Sequence, residues 1–228
     1  MKTVIVTGAS GNLGQAICQK FLSEGANVIG TATNDVVLPF SNNKKFERYV
    51  VDLRREELAE HFVDLVQKKY GSIDTAVLTV GGFAAGKMQD TRIAAIEQQF
   101  QLNFATAYNI ARPVFSVMMK QGYGRIFLTS SRTGYDMRFS KGALAYGLSK
   151  SLLLRLSEWM NEEAKGSNVV SSVILPSTID TPENRKGMPD ADFNSWVKPT
   201  AIAEMVYAFA SDNFADMREP LIKAYGNA

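Results

Sequence analysis

Short apolar and β-branched runs alternate with longer amphipathic stretches through most of the 228 residues. The short runs are suited to buried strands, whereas the longer stretches repeat apolar residues at helical spacing. Seven strands are predicted, at residues 2–7, 27–32, 49–51, 76–80, 125–129, 169–175 and about 221–222. Strands alternating with helices predict an α/β fold, a Rossmann-type doubly wound parallel sheet with helices on both faces.

Five helices are predicted, at residues 13–25, 55–70, 90–121, 145–164 and 200–211. Asp90 is placed to cap the longest of them, and Pro113 predicts a kink within it. Residues 176–199 predict a long loop, rich in large apolar side chains, which we expect to form a lid on the substrate side. No linker composition divides the chain, so residues 1–228 are expected to form a single domain.

The turn between the first strand and the first helix is rich in glycine. Gly8, Gly11 and Gly14 end a buried strand and precede a helix whose N-terminus points at the turn. Free backbone N–H groups and the positive end of the helix dipole converge there, an arrangement that binds a diphosphate. Such a turn can be only a tight connection, but the clear strand and helix on either side favour a dinucleotide site.

Residues that follow the other strands are further candidates, because ligands of open α/β sheets bind beyond the carboxyl ends of the strands. These residues are Asp52, Gly81, Gly82, Ser130, Ser131 and the segment 176–181. Downstream, Tyr146 and Lys150 share one helical face at i, i+4 spacing. A free tyrosine has a pKa of about 10, and a positive neighbour favours its ionised form. The pair is therefore suited to acid/base chemistry.

Composition argues against several classes of function. The formal net charge is +2 with both signs interspersed, which disfavours nucleic acid or an anionic membrane as partner. No run is apolar enough to span a membrane and no secretory signal is recognisable, so we expect a cytoplasmic location. The single cysteine, Cys18, is expected to pack as a small hydrophobe and the single histidine, His61, to lie at the surface. No metal site is predicted.

In these motifs the chain resembles the short-chain dehydrogenases/reductases, and the resemblance runs nearly its whole length. The matching residues are Thr7, Gly8, Gly11, Gly14, Asp52, Asn103, Ser131, Tyr146, Lys150, Pro176, Ile179 and Thr181. The resemblance implies an NAD(P)-dependent oxidoreductase that acts on a small molecule. The cofactor would carry the hydride.

The resemblance also implies a role for four catalytic residues. Tyr146 would exchange a proton with the substrate oxygen, and Ser131 would hydrogen-bond to that oxygen. Lys150 would lower the pKa of Tyr146 and bind the nicotinamide ribose, while Asn103 would hold a water in a proton relay to Lys150. The implied cofactor contacts are Gly8, Ser10, Gly11, Asn12, Leu13, Gly14, Thr33, Asp52, Leu53, Gly81, Gly82, Tyr146, Lys150, Pro176, Ser177, Ile179 and Thr181.

The chain departs from the common family pattern at several positions. Asn12 and Ser177 stand where glycines are usual, and Ser131 lies about two residues further from Tyr146 than is common. The segment 178–196 resembles the corresponding loop of dihydropteridine reductases, although those enzymes lack a serine like Ser131. A pterin-like compound and an ordinary ketone or alcohol therefore both remain as substrate classes. In that segment, Phe193 and Trp196 either contact the substrate or only hold the lid on the sheet.

An alternative class of function is a non-catalytic NAD(P)-binding sensor or interaction protein on the same fold. Retention of the Tyr146 and Lys150 pair, with Ser131 and Asn103, favours the enzyme. The resemblance further implies a homodimer or homotetramer built on the helices at 91–121 and 145–164, which carry more apolar residues than one buried face needs.

The end of the second strand predicts which nicotinamide cofactor is preferred. A carboxylate there accepts hydrogen bonds from the ribose 2′-OH and repels a 2′-phosphate. Here Ala32 stands at the expected carboxylate position, and Thr31, Thr33 and Asn34 could donate to a phosphate. We therefore expect NADP(H) to be preferred over NAD(H), unless Asp35 reaches the ribose.

Overall fold

Seven strands, all parallel, form one sheet in this computed structural model, which describes residues 2–214 and 216–227. They are β1 Thr3–Thr7, β2 Asn27–Ala32, β3 Phe46–Val50, β4 Thr75–Leu78, β5 Tyr123–Thr129, β6 Asn168–Pro176 and β7 Leu221–Ala224. Their order across the sheet is β3-β2-β1-β4-β5-β6-β7. The predicted Rossmann-type doubly wound sheet is confirmed.

Eight α-helices connect these strands within the described residues. They are α1 Asn12–Ser23, α2 Glu56–Tyr70, α3 Ile93–Phe100, α4 Thr106–Gln121, α5 Arg132–Tyr135, α6 Leu144–Glu163, α7 Pro182–Gly187 and α8 Pro199–Phe209. A π-helical segment, Gln101–Ala105, joins α3 to α4, and short 3-10 turns occur at Met137–Phe139, Phe193–Ser195 and Asp212–Phe214. None of the helices in the described part is long and apolar enough to cross a membrane.

The central strands β1 and β4 are buried on both faces because helices cover both faces of the sheet. Val4 and Val6 on β1 belong to one core with residues of α1 and α8, whereas Ile5 belongs to a second core with residues of α2, α4 and α6. Cys18 on α1 is completely buried in the first core, as predicted for a small hydrophobe.

The order of the strands places a crevice at one end of the sheet. β1 pairs with β2 on one side and with β4 on the other, so the chain winds in opposite directions from β1. At such a switch point the connections leave the strand ends in opposite directions and open a cleft. The glycine turn after β1 and the Gly81 and Gly82 pair after β4 both lie there.

Several predicted boundaries were wrong for physical reasons. β3 starts at Phe46 because residues 46–50 pair with β2, so a strand in register extends beyond its apolar centre. The long helix starts at Ile93 with Arg92 at its N-cap, because Asp90 is used in a preceding turn. α4 continues through Pro113, and the change in helical hydrogen bonding lies instead at Gln101–Ala105.

The segment 176–199 is more regular than the predicted loop. Thr181 caps α7 by accepting a hydrogen bond from the backbone N–H of Asn184, and Pro182 takes the first helical turn. A Thr-Pro pair is a helix-start signal, so this helix was readable from the sequence. Trp196 is buried and its ring packs against Phe193, with 4.8 Å between the ring centroids.

Candidate active site

The turn after β1 has the geometry of a diphosphate seat. Gly8 has a φ of +65°, a conformation that strains other residues, and its carbonyl accepts from the N–H of Gly11 at 2.9 Å. A Cβ on Gly14 would lie 2.2 Å from the Gly8 oxygen, so only glycine allows the helix this close. No side chain caps α1 and no acidic residue stands in its first turn. The helix start is therefore left open to an anion.

A cavity of about 510 Å³ runs from this turn past the ends of β2 and β3. Its walls include the predicted residues Gly8, Ser10, Gly11, Asn12, Leu13, Gly14, Thr33, Asp52, Leu53, Gly81 and Thr181. The same wall includes Arg54, which the sequence analysis missed although it stands two residues beyond Asp52 at a strand end. Arg54 donates two hydrogen bonds of 2.9 Å to the carboxylate of Asp52 and lowers its pKa.

A second cavity of about 550 Å³ lies beyond the ends of β4, β5 and β6 and shares Leu13, Thr79 and Gly81 with the first. Its walls hold the predicted residues Gly81, Gly82, Ser131, Tyr146, Lys150, Pro176, Ser177 and Ile179. They also hold residues that the sequence analysis missed, namely Phe83, Arg132, Phe139, Asn184 and Met188. Two joined cavities with a glycine turn at their junction fit a dinucleotide followed by a small substrate.

Tyr146 and Lys150 line this second cavity from α6, one helical turn apart. The ammonium of Lys150 lies 5.9 Å from the Tyr146 ring centroid and donates to the carbonyl of Thr129 at 2.8 Å. Burial lowers the pKa of Lys150 to about 8. Burial raises the pKa of Tyr146, and a side-chain hydrogen bond with Ser131 lowers it in part. The expected lowering by Lys150 is absent, since the ammonium is turned to Thr129 and desolvation dominates.

Ser131 stands directly after the end of β5 and caps the short helix α5. Its backbone is extended, and its hydroxyl accepts from the N–H of Gly134 at 3.0 Å. This bond fixes the side chain in the same wall as Tyr146. The hydroxyls of Ser131 and Tyr146 are hydrogen-bonded to each other among the lining residues of one cavity, where both can bind the same ligand oxygen.

Asn103 lies in the π-helical segment and is completely buried. Its side-chain oxygen accepts from the N–H of Gly82 at 2.9 Å, and its amide donates to the carbonyl of Gly82, to Gln99 and to Ser149 at 3.0–3.1 Å. Two amide hydrogens serve three acceptors, and these bonds fix the loop after β4 against α6. The water that the resemblance implied for Asn103 stays a prediction.

Gly81 lies close to the side chains of both Asn103 and Lys150. A Cβ at residue 81 would lie 2.6 Å from the oxygen of Asn103 and 2.7 Å from the ammonium of Lys150. The loop after β4 therefore approaches both groups as closely as backbone can. No group of three acidic, His or Cys side chains in the part of the chain that the structure describes could hold a metal ion.

A family model described as short chain dehydrogenase matches residues 2–191. The chain belongs to this family. Like its relatives in the short-chain dehydrogenase family, it is an NAD(P)-dependent oxidoreductase. The catalytic chemistry of such a protein is a hydride exchange with a nicotinamide.

Individual relatives are distant. Dihydropteridine reductase of Dictyostelium discoideum is 26% identical over 216 residues, which are 93% of this chain and 89% of that protein. 3-Ketodihydrosphingosine reductase of Bos taurus is 28% identical over 191 residues, 78% of this chain and 57% of that protein. The solved structure of ElxO with NADP bound matches 99% of this chain and 97% of that chain, with a TM-score of 0.91 and 19% identity. At that identity the structural match shows the fold alone.

Proposed function

We propose that this short-chain dehydrogenase interconverts a small carbonyl compound and its alcohol, with Tyr146 as the general acid and base. The observation that carries the proposal is one wall of the second cavity, where Ser131, Tyr146 and Lys150 lie together. That cavity joins the one beside the glycine turn, so a nicotinamide held by the first reaches the second. The bound cofactor would donate or accept the hydride.

Each side chain then has a defined part in the reaction. The protonated phenol of Tyr146 donates its proton as negative charge develops on the substrate oxygen, and its raised pKa keeps it protonated at neutral pH. Ser131 donates a second hydrogen bond to the same oxygen and fixes its position. The ammonium of Lys150, positive below its pKa of about 8, donates hydrogen bonds to the ribose hydroxyls of the bound cofactor.

The test is Tyr146→Phe, which removes only the hydroxyl that transfers the proton. We expect turnover to fall by at least tenfold while cofactor affinity stays within about twofold, because the phenol acts on the substrate oxygen. Tyr70→Phe is the control, since that hydroxyl is bonded to Glu47 outside both cavities. If Tyr146→Phe keeps more than a tenth of the wild-type turnover on a true substrate, the proposed role of Tyr146 as general acid and base is wrong.

Two substrate classes remain in the proposal, a pterin-like compound and an ordinary ketone or alcohol. The similarity to dihydropteridine reductase supports the first, and the similarity to a 3-ketodihydrosphingosine reductase supports the second. A panel of dihydropterins, ketones and aldehydes, assayed through the oxidation of NADPH and NADH, separates the two substrate classes. The sensor alternative predicts cofactor binding without turnover of any of these compounds.

For the cofactor we propose a modest preference for NADPH, of about tenfold or about 1.4 kcal/mol. Ala32 and Thr33 line the first cavity where a carboxylate would repel a 2′-phosphate, and the charge of Asp52 in the same wall is balanced by Arg54. Asp35, the residue that could reverse the preference, pairs with Arg48 on β3 and does not line the cavity. Fluorescence titration with both reduced cofactors tests this, and tighter binding of NADH would contradict it.

We further propose a homo-oligomer, a dimer or tetramer, built on α4 and α6. Tyr108, Leu152 and Trp159 on these helices are exposed by 38%, 37% and 68%, whereas Val114 and Leu153 are buried within the chain. Light scattering at micromolar concentration tests this, and a strictly monomeric mass would refute it. A cytoplasmic location stays part of the proposal, to be tested by fractionation of cells that express the protein.

A further inference from the structure

The walls of the second cavity, which the proposed reaction assigns to the substrate, carry charge of only one sign. Lys150 and Arg132 are the two charged residues among its described lining residues, and no carboxylate is among them. Lys150 already binds the ribose in the proposed reaction. Arg132 therefore remains as a cation in the substrate wall that the proposed chemistry does not use.

The guanidinium of Arg132 packs against two aromatic rings. Arg132 directly follows Ser131, and its guanidinium carbon lies 3.4 Å from the ring centroid of Phe139 and 4.8 Å from that of Tyr225. Aromatic rings pack against the faces of a guanidinium, which leaves the N–H groups at its edges to bind acceptors. A guanidinium has five N–H donors, so it can keep a protein contact at one edge and bind a ligand at another.

Three carboxylates that stand close in sequence to lining residues have partners of their own. Both oxygens of Asp136 accept hydrogen bonds from Arg138, and both oxygens of Asp180 accept from Arg185. Glu183 accepts from the side chain of Asn12 at 2.7 Å. None of these three residues lines the cavity, although Asp136 is close enough for Arg132 to contribute to its low pKa. Among the described lining residues, a substrate anion in the cavity would therefore meet two cations and no carboxylate.

The remaining wall suits an apolar, flat body. Phe83 packs edge-on against Tyr146 with 5.1 Å between ring centroids and is 66% exposed, and Phe139, Ile179 and Met188 complete the apolar part. A cavity of this kind binds the body of a ligand by burial and orients it by a few polar groups. The polar side chains of the wall include Ser131, Tyr146, Asn184 and Arg132.

We propose that the substrate is a carbonyl compound that also carries a carboxylate, and that Arg132 binds this carboxylate. The inference rests on the proposed function, because it takes the second cavity as the place of reduction. It favours keto or aldehyde acids with an apolar body, because a carboxylate complements the cations among the lining residues. Arginine suits the role because its planar fork binds a carboxylate through two parallel hydrogen bonds.

The test compares matched acids and esters as substrates of the intact protein with NADPH. The probes are 3-carboxybenzaldehyde, 4-carboxybenzaldehyde and the methyl esters of both. For at least one isomer we expect kcat/KM to be at least tenfold higher for the acid than for its ester. In Arg132→Gln this ratio should fall towards one, and in Arg132→Lys, which keeps the charge but loses the planar fork, it should be intermediate.

The control for net charge is Arg55→Gln, because Arg55 is exposed, pairs with Glu57 and lies outside the second cavity. It should leave the acid-to-ester ratio unchanged. Equal or faster reduction of both esters by the wild-type protein would overturn the inference, and that result does not depend on whether any variant folds. An unchanged ratio in folded Arg132→Gln would overturn it as well.

A binding measurement separates this inference from the proposed function. Benzoate and benzamide are titrated into the NADPH complex, with the nicotinamide fluorescence as readout. We expect benzoate to bind at least tenfold more tightly than benzamide in the wild-type protein and in Arg55→Gln, but not in Arg132→Gln. Equal binding of the two compounds overturns the anion site even if aldehydes are reduced. Tighter binding of benzoate without reduction of any aldehyde supports the anion site and counts against the proposed reaction.

Discussion

Lys150 is a charged side chain that the fold buries almost completely, and its removal should change how stability depends on pH. Burial lowers its pKa from an ordinary value of 10.5 to about 8. The folded protein therefore carries a penalty for the cation that is fully present below pH 8. The penalty fades as pH rises and is gone above pH 10.5, where the unfolded chain is neutral as well.

The size of the effect follows from the two pKa values. One pKa unit corresponds to about 1.4 kcal/mol, so the fall from 10.5 to about 8 sets a ceiling of about 3 kcal/mol on the penalty. Between pH 7 and pH 10 the wild-type protein should recover about 2 kcal/mol of this. Lys150→Met has no such group, so its stability relative to wild type should fall by about 2 kcal/mol over the same interval.

Urea unfolding, followed by tryptophan fluorescence, measures this at pH 7 and pH 10 for wild type, Lys150→Met and the exposed control Lys141→Met. The absolute difference at pH 7 is less informative, because the variant also leaves the carbonyl of Thr129 without its donor, at a cost of about 1–3 kcal/mol. This cost is the same at both pH values, so it cancels when the stability difference at pH 7 is compared with that at pH 10. A change below about 0.5 kcal/mol, or one shared by Lys141→Met, would refute the reasoning.

Three further outcomes are expected. Gly81→Ala should lower turnover at least tenfold, because the added Cβ would displace Asn103 or Lys150. The control is Gly147→Ala, which has no neighbour closer than 3.5 Å and should keep the fold and gain about 1 kcal/mol in unfolding free energy. Equal turnover of Gly81→Ala and wild type would contradict the prediction. Cofactor affinity, measured by fluorescence titration, should weaken as pH rises through about 8, since Lys150 then loses its charge; a flat profile from pH 7 to 9 would contradict the ribose role. Hydrogen exchange of residues 183–196 should slow when cofactor binds, as expected of a lid, and equal protection with and without cofactor would indicate a permanently packed flap.

The sheet was predictable because its signals are local. Each buried strand is a short β-branched run, and in an open α/β sheet the residues after each run lie at one edge. This rule located Gly8, Asp52, Gly81 and Ser131 without knowledge of any contact between them. The i, i+4 spacing of Tyr146 and Lys150 is equally local. Their roles in the reaction stay predictions.

Properties that depend on several elements at once were not predictable. The π-helical segment around Asn103 is stabilised by bonds from that residue to Gly82 and Ser149, which lie on two other parts of the chain. The pKa of Tyr146 depends on how deeply its side chain is buried, which the i, i+4 spacing to Lys150 does not reveal. Arg132 is stacked against Tyr225, 93 positions further along the chain. No periodic pattern encodes such a contact.

Asn12 departs from the family pattern, and its side chain makes a contact that a glycine could not make. A glycine is usual at this place in the family that the chain resembles, and a side chain there lies at the start of α1, beside the seat for the diphosphate. The amide of Asn12 donates to Glu183 on α7, so the turn and the lid segment are joined across the cleft by residues 171 positions apart. A bound diphosphate at this turn would lie near the carboxylate of Glu183, and two negative groups so close repel each other. Binding of the cofactor and release of this hydrogen bond are therefore expected to be coupled, which gives the lid a physical reason to move.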